Sequence, residues 1–344
     1  MSQVDKVLLA APRGFCAGVE MAIKALAWMV ASFEGTVYCY HEIVHNQRVV
    51  KQFEDLGVIF VNSIDEVPQG RPVMLSAHGS APEVVEAARA RGGFVVDAVC
   101  PLVTKVHHEV KVRAGKGYSI VYIGHEGHEE AVGTMAVAPE SVHRVESLAE
   151  VAALPVFETP VALLAQTTLS HLDWAEVAEA TQARFPDMWM PGHSDLCFAT
   201  TNRQSALMSF AGDCDAIVVI GSANSSNTIA LEKLARTAGC GSVYRINSPE
   251  ELPDGLTGVV GLTAGASAPE ELVEAVITKL QPIHGVQEIR ITEEEEYFPP
   301  PRNIRNLLSA IDQFGMLGLG GDPTTLLDSG DRERSASSVL INLA

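Results

Sequence analysis

The sequence predicts an α/β fold of parallel sheets flanked by helices, and two observations carry that prediction. Short β-branched runs alternate with Ala-rich helical stretches along most of the 344 residues, the pattern of strands joined by helical crossovers. Five of the apolar runs end in a small or polar loop that opens a helix. In parallel sheets such loops gather at the C-terminal strand ends, where ligands sit.

Taken in order, Val73-Met74-Leu75-Ser76-Ala77 leads through His78-Gly79-Ser80-Ala81-Pro82 into a helix over 83–91. The run 119–123 leads into Gly124-His125-Glu126-Gly127-His128-Glu129-Glu130. The run 161–165 leads through Gln166-Thr167-Thr168-Leu169-Ser170 into a helix over 172–184. The run 216–220 passes through Gly221-Ser222-Ala223-Asn224-Ser225-Ser226-Asn227 into a helix over 228–237. The run 258–263 passes through Ala264-Gly265-Ala266-Ser267-Ala268-Pro269 into a helix over 270–280. Helix N-termini present free N–H groups and a partial positive charge, which together bind anions. Ser, Thr and Asn in any single loop read equally well as plain N-caps. Five loops that include three histidines point instead to a shared site.

Composition narrows the partners. The chain has 47% hydrophobic and 19% charged residues, and 43 acidic residues against 24 basic ones give a net charge of −19. Such a surface repels phosphate backbones and anionic lipid, so nucleic acid and membranes are excluded as expected partners. A small anionic substrate would need a local positive site built with few Lys or Arg. The short apolar run 7–11 is neither a membrane span nor a signal peptide. Six cysteines are too sparse for a secreted disulfide scaffold. A cytoplasmic protein with reduced thiols is expected.

Cys39, Cys214 and Cys240 lie in or beside apolar runs and read as small buried hydrophobes. Cys16, Cys100 and Cys197 instead lie in loops that enter helices, spaced by about one domain length each. Either three similar α/β units each give one thiolate to a common centre with an open position, or these are unrelated loop thiols. Three thiolates are one short of the usual iron–sulfur complement and suit a metal with a vacancy. Two other chemistries compete. A zinc hydrolase with Glu130 as base lacks H-E-x-x-H and paired C-x-x-C spacings. A cysteine-nucleophile transferase built on Cys16 leaves Cys100 and Cys197 unexplained. A nucleotide-binding module finds neither G-x-G-x-x-G nor a Walker loop.

The motifs themselves carry a resemblance. Pro12-Arg13-Gly14-Phe15-Cys16-Ala17-Gly18-Val19, His41-Glu42-Ile43-Val44-His45-Asn46 and Ser76-Ala77-His78-Gly79 come first. Cys100-Pro101-Leu102-Val103-Thr104-Lys105-Val106-His107, Gly124-His125-Glu126-Gly127-His128 and Gln166-Thr167-Thr168-Leu169-Ser170 follow. Cys197-Phe198-Ala199-Thr200-Thr201-Asn202-Arg203-Gln204, Asn224-Ser225-Ser226-Asn227 and Thr263-Ala264-Gly265-Ala266-Ser267 complete the set. In this order, from about residue 7 to about 290, they resemble the 4-hydroxy-3-methylbut-2-enyl diphosphate reductases of the methylerythritol phosphate pathway.

The resemblance implies three similar α/β domains in pseudo-threefold arrangement around a central iron–sulfur cluster. The expected division is an N-terminal strand and cysteine loop over 1–17, domains over 18–100, 101–193 and 194–285, and a closing segment over 286–301. A flexible appendage over 302–344 follows, with one short helix over 303–314. The resemblance implies one 4Fe-4S cluster held by Cys16, Cys100 and Cys197, with the open apical iron taking the substrate hydroxyl. It places His45, His78, His128, Ser225, Ser226, Asn227 and Ser267 around the diphosphate, Glu130 as proton supplier, and Thr167 beside the allylic hydroxyl. A ferredoxin or flavodoxin is the implied electron donor. Glu129 stands where the family pattern carries proline. His41, His107, His108 and His125 read as structural, and Lys105 and Arg203 are assigned no role.

That chemistry suits the residues. Removing an allylic hydroxyl as water takes two electrons, two protons, a Lewis acid and a positioned carboxylic acid. Protonation at either end of the resulting allyl anion equivalent gives isopentenyl or dimethylallyl diphosphate. A bound polyanion is expected to raise the Glu130 pKa and keep it a donor.

Overall fold

The computed structural model describes residues 3–316 and 330–343. From the N-terminus, β1 (Val4–Ala11) precedes α1 (Ala17–Ser32), β2 (Tyr38–Tyr40), α2 (Gln47–Asp55), β3 (Ile59–Val61), β4 (Val73–Leu75), α3 (Pro82–Ala90) and β5 (Val95–Asp97). Next come α4 (Pro101–Gly115), β6 (Ser119–Ile123), α5 (Glu129–Ala136), β7 (Val142–Val145), α6 (Leu148–Ala153), β8 (Val161–Ala165) and α7 (His171–Arg184). The chain continues with α8 (Phe198–Met208), β9 (Ala216–Ile220), α9 (Ser226–Thr237), β10 (Val243–Ile246), β11 (Gly258–Ala264), α10 (Glu270–Leu280) and β12 (Val286–Arg290). Helices α11 (Arg302–Met316), α12 (Gly330–Glu333) and α13 (Ala336–Leu343) close the sequence. The fold is α/β with parallel sheets, as the sequence predicts.

Two compact units divide the chain: 1–16 with 102–295, and 17–101 with 296–344. The first holds a five-stranded sheet in the order β10-β9-β11-β1-β12 and a three-stranded sheet in the order β7-β6-β8, every pairing parallel. Strands β6 to β8 form the three-stranded sheet, and β9 to β11 are joined by β1 and β12 in the five-stranded one. Strands β8 and β9 are buried at every position, because helices cover both faces of a parallel sheet. Strand β12, within the expected closing segment, forms the edge beside β1.

Two glycines fix where α9 begins. A side chain at Gly221 or Gly265 would place its Cβ 2.3 or 2.2 Å from Thr228 Oγ1. The loops leaving β9 and β11 therefore close directly onto the first turn of α9, and only glycine admits that approach. This contact sets the position of Ser225, Ser226 and Asn227.

The second unit carries the parallel sheet β3-β2-β4-β5. Its helix α1 is buried over almost its whole middle, residues 21–29. Here the structure corrects the flexible appendage expected over 302–344. Helix α11 buries Ile304 and Leu308, and Asn303 Nδ2 donates to Val95 O at 2.7 Å. Helix α13 packs on α1 with Ala336, Val339 and Leu340 buried. Residues 317–329 of that appendage lie outside the described residues.

The physical reason for the correction is Lys24, only 3% exposed in the middle of α1. Its Nζ donates to Asp331 O at 2.8 Å and Arg334 O at 3.2 Å and lies 3.4 Å from Asp331 Oδ2. Asp331 in turn accepts from Tyr297 Oη at 2.7 Å and from Trp28 Nε1 at 3.4 Å. A buried ammonium demands such a partner. Asp331→Ala leaves Lys24 charged and unpaired, and is expected to lower unfolding stability by about 3–5 kcal/mol. Disrupting the exposed Lys51–Asp55 pair is expected to change it by less than about 1 kcal/mol. Denaturant unfolding of the two variants checks the contrast.

Candidate active site

In the first unit the strand-end loops bring most of the expected residues together. Glu130 lies in the first turn of α5 and is 2% exposed. Its Oε1 accepts from the Thr167 backbone N–H at 2.7 Å, and its Oε2 from Thr167 Oγ1 at 3.0 Å. Burial pushes the carboxyl up to about 7 and outweighs the opposing Thr167 hydrogen bonds, with a further upward push from Asp195. The direction matches the expectation, but protein burial already produces it without a bound polyanion.

His128 is the N-cap of α5, and its Nδ1 accepts from the Glu130 N–H at 3.1 Å. A neutral imidazole that accepts at Nδ1 carries its proton on Nε2, so that nitrogen is left as a donor. Ser225 caps α9, its Oγ accepting from Thr228 N at 3.3 Å. Asn227 accepts from Ala266 N at 3.0 Å and donates to Thr200 Oγ1 at 3.4 Å. Ser226 Oγ donates to Thr168 O at 3.3 Å, and Ser267 is buried in the loop after β11.

Gln166, quoted as part of a motif but given no role, links three of these loops. Its Oε1 accepts from His125 N at 3.0 Å, and its Nε2 reaches Thr168 Oγ1 at 2.8 Å and Ser226 Oγ at 3.3 Å. A fully buried glutamine at a strand end is the signal that could have found it.

Cys16 and Cys197 also belong to this unit. Cys197 caps α8, its Sγ accepting from Thr200 N at 3.2 Å, and its own N–H donates to Thr167 O at 3.0 Å. Cys16 N donates to Ala266 O at 3.2 Å. Burial pushes the Cys197 thiol up to about 11, and the charge of Cys16 adds to the push. A free nucleophilic thiolate at Cys197 is therefore disfavoured, although the Thr200 hydrogen bonds and Arg203 act in the opposite direction. Neither cysteine is in a disulfide.

The two thiol loops are joined by Arg203, a residue assigned no role from the sequence. Its guanidinium is fully buried. Nε and Nη2 donate to Gly14 O at 3.1 and 2.8 Å, Nη2 reaches Phe15 O at 3.3 Å, and Nη1 donates to Ala199 O at 2.8 Å. Glu294 neutralises it, with both carboxylate oxygens 3.1 Å from Nη1. Glu294, in the expected closing segment, is therefore a half-buried counter-ion.

The second unit groups the rest. The His45 and His78 rings stack with centroids 3.9 Å apart and planes 15° from parallel. Glu42 Oε2 lies 3.3 Å from His45 Nδ1. Asn46 caps α2 through Oδ1, bonded to Arg48 N at 3.0 Å and Val49 N at 3.2 Å. Cys100 N donates to Ala77 O at 3.0 Å, which places the Cys100 loop beside the residue preceding His78. Of the histidines read as structural, His125 pairs with Glu146 at 2.9 Å, and burial lowers His107 to about 4.

Two outcomes follow. Thr167→Val removes a donor that favours the carboxylate, so the Glu130 pKa should rise above about 7, as read by infrared titration of the carboxyl band. Arg203→Met should lower unfolding stability by about 1–3 kcal/mol by leaving the Gly14 and Ala199 carbonyls without their donor, and hydrogen exchange should show the 13–16 loop loosened.

Against this geometry, the comparisons are specific. Residues 7–281 match the family model described as LytB protein. A Rhodopirellula baltica protein, 4-hydroxy-3-methylbut-2-enyl diphosphate reductase, is 47% identical over 307 residues, covering 87% of this chain and 96% of the relative. A Mycobacterium bovis protein, 4-hydroxy-3-methylbut-2-enyl diphosphate reductase 2, is 46% identical over 309 residues, covering 87% and 94%. The solved E-1-hydroxy-2-methyl-but-2-enyl-4-diphosphate reductase of Plasmodium falciparum superposes with a TM-score of 0.87 at 32% identity, covering 90% of this chain and 99% of that one. The chain belongs to the LytB protein family.

Proposed function

We propose that the chain is an oxidoreductase that converts 4-hydroxy-3-methylbut-2-enyl diphosphate, two electrons and two protons into isopentenyl or dimethylallyl diphosphate and water. The observation that carries this reading is the buried Glu130 carboxyl, held on both oxygens by Thr167. Burial raises its pKa to about 7, so a substantial fraction of it is protonated at neutral pH and can give its proton to a leaving hydroxyl, which departs poorly without one. Relatives named for this reaction support the substrate, and a solved structure titled as the terminal enzyme of the non-mevalonate pathway supports the place of the reaction.

Cys16, Cys100 and Cys197 would hold a 4Fe-4S cluster, one per chain, with one iron open. The donor set fits it. None of the three is in a disulfide, and the charge of Cys16 adds to the burial that raises the Cys197 thiol, as expected of two sulfurs that lie close together. When bound, the cluster supplies electrons singly and a Lewis-acidic iron. The chain's own residues do the remaining work. His45, His78, His128, Ser225, Ser226, Asn227 and Ser267 bind the diphosphate through imidazole, hydroxyl and amide donors, with the α9 N-terminus adding its partial positive charge. This set needs no lysine patch, which suits a chain of net charge −19. Thr167 orients the Glu130 proton toward the allylic hydroxyl, and its own hydroxyl lies in the same network. A ferredoxin or flavodoxin brings the electrons, and the cytoplasm is the compartment that suits reduced thiols.

Anaerobic assay with dithionite tests the reading. The chain should form both isoprenyl diphosphates, and Glu130→Gln should keep substrate binding while turnover falls about 10²–10⁴-fold. Turnover of the unmodified chain should decline as pH rises through about 7, because the acid form of Glu130 is lost. Near-normal turnover in Glu130→Gln would remove the proton donor from its role.

A further inference from the structure

We infer that the outward face of α4 is the docking surface for a small acidic electron-carrier protein, an inference that rests on the reductase reading. In a chain of net charge −19, an anionic carrier is repelled on average and needs a local basic face to approach. Helix α4 supplies one. Val103, Val106 and Val110 are buried, the last two in the core around β6 and β8. Thr104, Lys105, His108 and Lys111 are exposed, and Lys116 is exposed in the turn that follows.

The helix carries a single carboxylate, Glu109, and it is taken up by Arg113, whose Nη2 lies 3.3 Å from it. Arg113 is turned away from solvent, its guanidinium carbon 3.5 Å from the centre of the Trp189 ring. Lys105 is half exposed, with Asp195 Oδ1 3.9 Å away. Among the described residues, Lys111 and Lys116 have no ion-pair partner. Elsewhere on the surface Lys51 is paired with Asp55, Lys233 with Asp173 and Arg236 with Glu232, whereas Lys279 is a lone cation bonded to Pro249 O and so serves as a control. Helix α4 also starts at the residue after Cys100, with Lys105 in its second turn and Lys111 and Lys116 towards and just beyond its C-terminal end.

The test compares two electron sources on the holoenzyme. The double charge reversal Lys111→Glu with Lys116→Glu should lower kcat/KM about tenfold with reduced ferredoxin or flavodoxin hydroquinone at low ionic strength. The gap should narrow as salt is raised. Turnover driven by dithionite with methyl viologen, and the melting temperature, should not change. A control reversal at Lys51 and Lys279 should leave carrier-driven turnover as it was. Carrier-driven turnover that falls no further than dithionite-driven turnover, or that falls equally in the control, would overturn the docking surface. An unmodified chain that dithionite cannot drive would overturn the reductase reading and this surface with it.

Discussion

A buried guanidinium cannot be left alone, and Arg203 spends every donor it has on joining two parts of the chain distant in sequence. Its Nε and Nη2 hold the Gly14 and Phe15 carbonyls, immediately before Cys16, while its own helix begins just after Cys197. Glu294 supplies the neutralising charge from the acidic run. The two thiols of the first unit therefore owe their neighbourhood to one ion pair and a set of carbonyl hydrogen bonds. Removing Glu294 strands the guanidinium in a dry interior, where the penalty is several kcal/mol, whereas Glu294 itself is partly exposed.

Capping and function turn out not to be alternatives in these loops. His128, Ser225 and Cys197 are the N-caps of α5, α9 and α8, and all three are candidate site residues. A cap side chain sits where free N–H groups converge, which is also where an anion is favoured, although at Cys197 burial outweighs that effect. Capping fixes the proton on His128 Nε2 and holds the Glu130 backbone, so the residue that supports the acid is itself a donor. Local helix chemistry thus gathers N–H and hydroxyl groups that the proposed diphosphate site would use without drawing on the scarce basic residues.

The elements nearest the site were the most legible. The runs 119–123, 161–165 and 216–220 are strands with the ends read from the sequence, because parallel strands buried on both faces are short, uniform and bounded by polar loops. Helix α9 begins at Ser226 rather than 228, since the close approach of Gly221 and Gly265 to Thr228 is invisible to periodicity. The candidate residues themselves were legible through their motifs. What tied them together was not: Arg203 with Glu294, and Gln166 across three loops, are long-range pairings of buried polar groups that follow no local pattern. The tail was misread for the same reason. Its Gly-, Ser- and Asp-rich composition hides Asp331, whose partner is a lysine 307 positions earlier in an Ala-rich helix.

The central claim is an iron–sulfur reductase whose thiols are Cys16, Cys100 and Cys197. Its most direct test is the iron and zinc content, with a visible spectrum, of protein purified without oxygen, beside the same protein carrying Cys197→Ser. The account predicts a brown protein with about four irons per chain, bleached by dithionite, its colour restored by the hydroxylated diphosphate, with the iron lost from Cys197→Ser. A colourless protein that holds stoichiometric zinc after anaerobic reconstitution with iron and sulfide would contradict it.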